Sequence, residues 1–341
     1  MTWRKPLAVC LALALLVPIY VREPRQARNT SGQVNLTQLP LPKGGRHGPF
    51  TLAGAWELTS RDYRFGSYSG LVIEPGGRLA AFSDQGVLLQ FTKPGGGGGA
   101  PLISDFLRAS LPIKQLRDVE AATRDPVSGK VWLALEGRNA VIRLDRAYRI
   151  EQIASPAALQ GWSHNSGPEA MTRLADGRFV ALSESYSASS DWSGHPAVLF
   201  AGDPTVAGTP SVAFRLEAAN GYRPTDAAQL PDGRVLVLLR RLVWPLPPRF
   251  AVKLALFDPA EIAAGKTVVA QEVAAIEAPW PVDNYEALAL ESERDGAISA
   301  WIMSDGNSAI TQRNLLLRLR FDPADLPDKT KGAQVAPRAP R

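Results

Sequence analysis

A two-stranded motif returns five times in this 341-residue chain, and it limits the possible folds more than any other feature. Its clearest copy is NSGPEAMTRLADGRFVALSE, from Asn165 to Glu184. Alternating segments on both sides of an Asp-Gly turn predict an antiparallel hairpin. Pairing across Ala175-Asp176-Gly177 would bring Glu169, which opens the first strand, close to Glu184, which ends the second.

The offsets hold along the chain. Counting on from each turn glycine leads to Asp84 after Gly77, Glu136 after Gly129, Glu184 after Gly177 and Arg240 after Gly233. The first strands open on Glu120, Glu169, Asp226 and Glu286, whereas the first copy has Ser69-Gly70 there, and Asp305 closes the last copy. The openings lie 49, 57 and 60 residues apart, and each hairpin is followed by further short strand-like runs such as NAVIRLD and FAVKLALFD. About four short strands per repeat is the pattern of propeller blades. The expected fold is all-β: a β-propeller of five four-stranded blades, with a sixth blade in the irregular segments left open. The fifth repeat has no outermost strand of its own, so the lone N-terminal strand Phe50 to Thr59 is expected to supply it and close the ring.

Composition agrees, with Gly 29 and Pro 28 for tight turns and 45% hydrophobic residues for a large core. The one cysteine, Cys10, excludes an intramolecular disulfide and Cys-rich metal chemistry. Residues 50–325 hold 27 Lys+Arg against 31 Asp+Glu, while the flanks hold the remaining 11 basic and 2 acidic residues. The positive charge is therefore not on the repeat, and nucleic acid is not an expected partner. Basic flanks suit an anionic membrane surface or simply solvated ends. Arg4 and Lys5 followed by the apolar run Leu7 to Val21 have the form of an export signal, cleaved or kept as an anchor. The expected organisation is a signal peptide or signal-anchor over 1–22, a polar tether over 23–49, the propeller over 50–325 and a basic tail over 326–341. The expected location is periplasmic, with inner-membrane anchoring through the N-terminus left open, and the expected state is a monomer.

In a propeller the first strand of each blade lines the central channel and the second runs back beside it. Asp84, Glu120, Glu136, Glu169, Glu184, Asp226, Glu286 and Asp305 are thus expected at one mouth. Converging carboxylates repel unless they are protonated or neutralised, and oxygen ligands in this number suit Ca²⁺. Glu120, Glu169, Asp226, Glu286, Asp305 and Asp84 are the candidate metal ligands. Each acid could instead accept backbone hydrogen bonds and pin its blade. Arg117, Arg240 and Arg241 are candidates for holding a substrate anion, or for balancing the acids in salt bridges. Glu136, Glu184 and His164 are candidate catalytic groups, although His164 also reads as a surface loop residue. The stretch Val243 to Pro248 is a stiff loop over the mouth, a lid or a long connection. Gly95 to Gly99 lacks the Lys-Ser/Thr of a phosphate loop, and no Gly-x-Ser-x-Gly elbow is present.

NSGPEAM with DGRFVALSE, EGRNAVIRLD, VLLRRL, NYEALAL and MSDGNSAITQRNLLLRLRF, in this order, resemble the phytase-like, or "esterase-like activity of phytase", family over roughly residues 50–323. The resemblance implies a β-propeller in an exported bacterial protein that hydrolyses phosphate or other esters. It also implies that Glu120, Glu136, Glu169, Glu286 and Asp305 are the family's acidic positions. Three functions are compatible with these readings. One is a calcium-assisted hydrolase of a small ester or phosphate; the others are a non-catalytic propeller that binds a ligand or partner, and a lactonase-like calcium hydrolase.

Overall fold

The computed structural model describes residues 29–328 apart from 44, 109, 188–191, 244–248, 308 and 310. The expected signal (1–22), most of the basic tail and the loop 244–248 lie outside the described residues. Among the described residues no helix is long and apolar enough to cross a membrane.

The hairpins form as their turn chemistry predicts. Leu174 N donates to Arg178 O at 2.7 Å and Gly177 N to Leu174 O at 2.9 Å. The three-residue loop needs a left-handed residue in its last place, and Gly177 supplies it at φ +92°. The fourth repeat closes the same way, with Gly233 at φ +93°.

Five sheets result. The first blade is built from Tyr68–Glu74, Arg78–Ser83, Leu88–Thr92 and Leu102–Ser104. The second is Val119–Arg124, Val131–Leu135, Ala140–Leu144 and Ile150–Ala154. The third begins with Pro168–Arg173, Phe179–Ser183, His195–Phe200 and Ser211–Glu217, and the fourth has Arg223–Gln229, Val235–Val243, Arg249–Phe257 and Gln271–Ile276. Tyr285–Ser292, Ile298–Ser304 and Asn314–Phe321 start the fifth, and Phe50–Ser60 pairs antiparallel with Asn314–Phe321 to complete it. Each innermost strand packs on that of the next blade, and that of the fifth packs on that of the first, so the ring is closed.

Two pairings depart from the expectation. Val34–Gln38, within the stretch read as a tether, adds a further antiparallel strand outside Phe50–Ser60. Thr267–Val269 adds a fifth strand to the third blade, where four are expected, pairing in parallel beside Arg215–Glu217. Neither segment carries enough apolar residues to mark its partner; each is recruited by an open sheet edge.

There are five apolar clusters, one at each junction between blades. This explains why second strands such as Val131–Leu135 are buried along their whole length. Alternation there distributes side chains between two cores rather than between core and water. Leu236 and Leu238 enter the cluster shared with the fifth blade, while Val235, Val237 and Leu239 enter the one shared with the third. At about 1.5–3 kcal/mol per buried aliphatic side chain, these junctions hold the blades as a rigid ring.

Candidate functional site

Every innermost strand carries a β-bulge just after its first residues. The pairing register slips between Tyr68/Gly70, Val119/Ala121, Pro168/Ala170, Pro224/Asp226 and Tyr285/Ala287. The residue left out of the ladder is Ser69, Glu120, Glu169, Thr225 or Glu286. A bulge re-aims the extra side chain, so one equivalent position per blade is turned toward the mouth. A second ring follows from the partner strands. Ser83, Leu135, Ser183, Leu239 and Ser304 pair with the strand openings, and the next residues are Asp84, Glu136, Glu184, Arg240 and Asp305. The expected convergence is therefore real for seven of the eight acids.

Asp226 is the exception. It sits one residue past the bulge, in register with Gly70, Ala121, Ala170 and Ala287, and Thr225 holds the mouth position. Both Asp226 oxygens serve the backbone: Oδ1 accepts from Ala227 N at 2.8 Å and Oδ2 from Leu288 N at 2.6 Å. It pins the fourth blade to the fifth. The offset from the turn glycine marks this in the sequence, since Thr225 lies eight residues before Gly233, as Glu169 lies eight before Gly177.

Burial is the largest influence on the acids of the mouth, and the neighbouring acids add to it. Burial pushes the Glu120 carboxyl well up, and Glu169, Glu286, Asp118 and Glu136 push it further. Glu169 is raised by burial, then by Glu184 and Glu136; a hydrogen bond shared with Glu136 favours the proton on Glu169. Asp305 is raised by burial and by Glu286 and Asp84. Burial also raises Asp84, against Lys114 Nζ, which stands 3.1 Å from Oδ2. The Asp84 Oδ1 atom is buried without a hydrogen-bond partner among the described residues.

Among the described residues, three cations reach this mouth. Lys114 pairs with Asp84 and, at 2.7 Å, with Asp118. Arg223 Nη1 donates to Glu184 Oε1 at 3.1 Å. Arg240 pairs with Glu286 through Nη1 and lies 3.6 Å from Glu184 Oε2 through Nη2. Asn284 clamps this arrangement, accepting from Arg240 at 2.5 Å and donating to Glu286 Oε1 at 2.9 Å. Burial opposes the charge of Arg240, but Glu286 and Glu184 outweigh it.

The other candidates lie elsewhere. Arg117 is committed to backbone carbonyls, donating to Gln85 O at 2.8 Å, Leu111 O at 2.8 Å and Pro112 O at 2.6 Å, so it fixes a loop rather than waiting for an anion. Arg241 follows Arg240 in a strand and so faces the other way, with its guanidinium 4.6 Å from the Tyr222 ring centroid. His164 is exposed in the turn before Pro168. Sequence reasoning missed Asp118 and Asn284. Each stands two residues before a bulge glutamate, in Asp-Val-Glu and Asn-Tyr-Glu, and that spacing was the available signal.

Asp118, Glu120 and Glu136 offer carboxylate oxygens that all lie within 4.8 Å of one another. Such a donor set is hard, anionic and crowded, which fits a divalent cation of the Ca²⁺ class. The unpartnered oxygen of Asp84 nearby is consistent with it.

A family model described as phytase-like, esterase-like activity of phytase, matches residues 63–308. No curated protein matches the chain in sequence. Similar solved structures include a hypothetical protein from Leishmania major, with TM-score 0.39 and 12% identity over 96% of this chain and 98% of that one. Another is the luciferin-regenerating enzyme, with TM-score 0.39 and 9% identity over 77% of this chain and 94% of that one. A nidogen/laminin complex matches with TM-score 0.40 and 9% identity, covering 82% of this chain and 94% of that chain.

Proposed function

Because this chain belongs to the phytase-like, esterase-like activity of phytase, family, we propose that it hydrolyses a phosphate or other ester at the carboxylate mouth. The single observation that carries this reading is the pair of residue rings set by the five bulges, with Asp118, Glu120 and Glu136 converging within 4.8 Å. These three would hold a calcium ion, with Asp84 beside them. Bound there, a calcium ion would supply Lewis acidity to the ester oxygen and to a water.

The chain's own groups complete the reaction. Glu184, which lies beside Glu169 and outside the cation's donor set, accepts the proton of the attacking water, whose oxygen bonds to the phosphorus or carbonyl carbon. Glu169 holds its proton through burial and the hydrogen bond with Glu136. It donates that proton to the leaving alcohol oxygen as the ester bond breaks. Arg240, oriented by Glu286 and Asn284, faces the negative charge that develops on the reacting centre. The basic and apolar start from Arg4 to Val21 supports export to the periplasm for this activity.

The test uses the full chain with p-nitrophenyl phosphate and p-nitrophenyl acetate, in calcium and in EDTA. Calcium should be required, and Glu169→Gln should lower kcat by about 100-fold or more. Equal rates in EDTA, or a fully active Glu169→Gln, would refute the mechanism. A protein that turns over neither ester would be a ligand-binding propeller instead.

A further inference from the structure

A cleft of about 970 Å³ opens beside the mouth, between the outer strands of the fourth blade and the segment that leads into the fifth. Its apolar lining is Phe250, Ala275 and Val282, backed from the core by Ile276 and Trp280, and charged side chains, among them Arg249, Glu272 and Arg313, border it. Arg313 is held only loosely, 3.6 Å from Asp283. The size and composition are those of a site for a small organic molecule rather than for an ion.

The cleft and the mouth share a wall. The Arg240 guanidinium lies 5.8 Å from the Phe250 ring centroid while its nitrogens reach Glu286 and Glu184. Asp283, which lines the cleft, precedes Asn284, which orients Arg240. A molecule held at Arg240 therefore has the cleft next to it. Among the described residues, each cation that reaches the mouth is already paired with a carboxylate: Lys114, Arg223 and Arg240. At the mouth itself a ligand with many phosphates finds those cations already engaged, Arg249 and Arg313 being at the cleft, whereas an apolar group meets the partly exposed Phe250 and Val282.

We infer that this cleft holds the non-reacting part of the ligand, and that this part is an aromatic ring system. Resting on the hydrolase reading, the substrate is an ester carrying one reacting group joined to an aromatic alcohol, not a polyphosphorylated sugar. Binding in the cleft is remote from the reacting centre and orients it against the mouth.

Two measurements separate this inference from the hydrolase reading. The first is titration of the full chain with 1-anilinonaphthalene-8-sulfonate, an aromatic probe with one anionic group. Saturable one-to-one binding is expected, weakened about tenfold or more by Ala275→Phe, which fills the cleft from a half-buried position in its lining. Glu169→Gln should leave this binding intact. The second compares kcat/KM for the 1-naphthyl and methyl esters of one acid. Ala275→Phe should cut the naphthyl-to-methyl ratio about fivefold or more. Probe binding or an ester ratio insensitive to Ala275→Phe would overturn the inference, even if esters are hydrolysed. Probe binding that Ala275→Phe abolishes, in a protein that hydrolyses no ester, would support the cleft and defeat the hydrolase reading.

Discussion

Calcium added to the metal-free protein at pH 7 is expected to raise its unfolding midpoint, and Glu120→Gln to remove most of that response. The size of the effect follows from the crowding at the second blade. Carboxylate oxygens of Asp118, Glu120 and Glu136 lie within 4.8 Å of one another. At an effective dielectric constant near 20, each ionised pair costs about 3 kcal/mol, or about 10 kcal/mol for the three pairs. That is comparable to the whole stability of an ordinary domain, about 5–15 kcal/mol. The metal-free protein must therefore keep protons there. Burial and the neighbouring acids raise Glu120 above its ordinary value of 4.5. A carboxyl raised on folding costs stability as pH climbs from that value through the folded one. Metal-free protein should accordingly be less stable at pH 8 than at pH 5, and calcium should flatten the difference. An ion at a hundred times its dissociation constant adds about 2.7 kcal/mol, worth about 5 °C in a chain of this size. Glu120→Gln removes a carboxyl that folding must keep protonated, so at pH 7 its midpoint in EDTA should rise above wild type while its calcium shift falls by more than half. Differential scanning calorimetry in EDTA and in calcium, at pH 5, 7 and 8, reads all of these. Coincident midpoints in EDTA and calcium, or a Glu120→Gln protein less stable than wild type in EDTA, would refute the reasoning.

Two further outcomes test the scaffold. Asp62 is buried and paired with Arg64 Nη2 at 2.7 Å, which holds its carboxyl near 2 rather than 3.8, so Asp62→Asn should cost about 2 kcal/mol at pH 7 by chemical denaturation. The contribution is complete above pH 3.8 and disappears as pH falls through about 2, so wild type and variant should converge in acid; a pH-independent gap would contradict it. Asp226→Asn removes one of two backbone acceptors and should destabilise by about 1–3 kcal/mol while leaving the calcium shift unchanged; a halved calcium shift would return Asp226 to the metal set.

Much of the fold is legible in the residues because a hairpin is a local object. The turn Leu174 to Arg178 closes through its own backbone and one glycine, and each repeat carries the same instruction. The closing role of Phe50–Ser60 is legible too, because the fifth repeat is one strand short. Val34–Gln38 and Thr267–Val269 are not, since their pairing is decided by which sheet edge stands open after the ring has formed. The site follows the same division. The mouth acids can be found by counting from the turn glycines, and the same count places Thr225 at the mouth of the fourth blade and leaves Asp226, the more conspicuous acid, to serve the backbone of the next blade.

The fourth blade departs from its siblings in both rings at once, and this organises the mouth. Where the second, third and fifth blades have Glu120, Glu169 and Glu286, the fourth has Thr225, with its hydroxyl 3.3 Å from Tyr285 O. Where the others have an acid in the second ring, it has Arg240. That one guanidinium reaches Glu184 on the third blade and Glu286 on the fifth. It neutralises the acids on its own side and leaves the uncompensated crowding at Glu120 and Glu136 on the second blade. On the proposed reading, the second blade would hold the cation and Arg240 of the fourth would face the reacting group, with Phe250 of the cleft beside it. An ester whose reacting group sits at Arg240 would then place its ring against Phe250, whose centroid is 5.8 Å from that guanidinium.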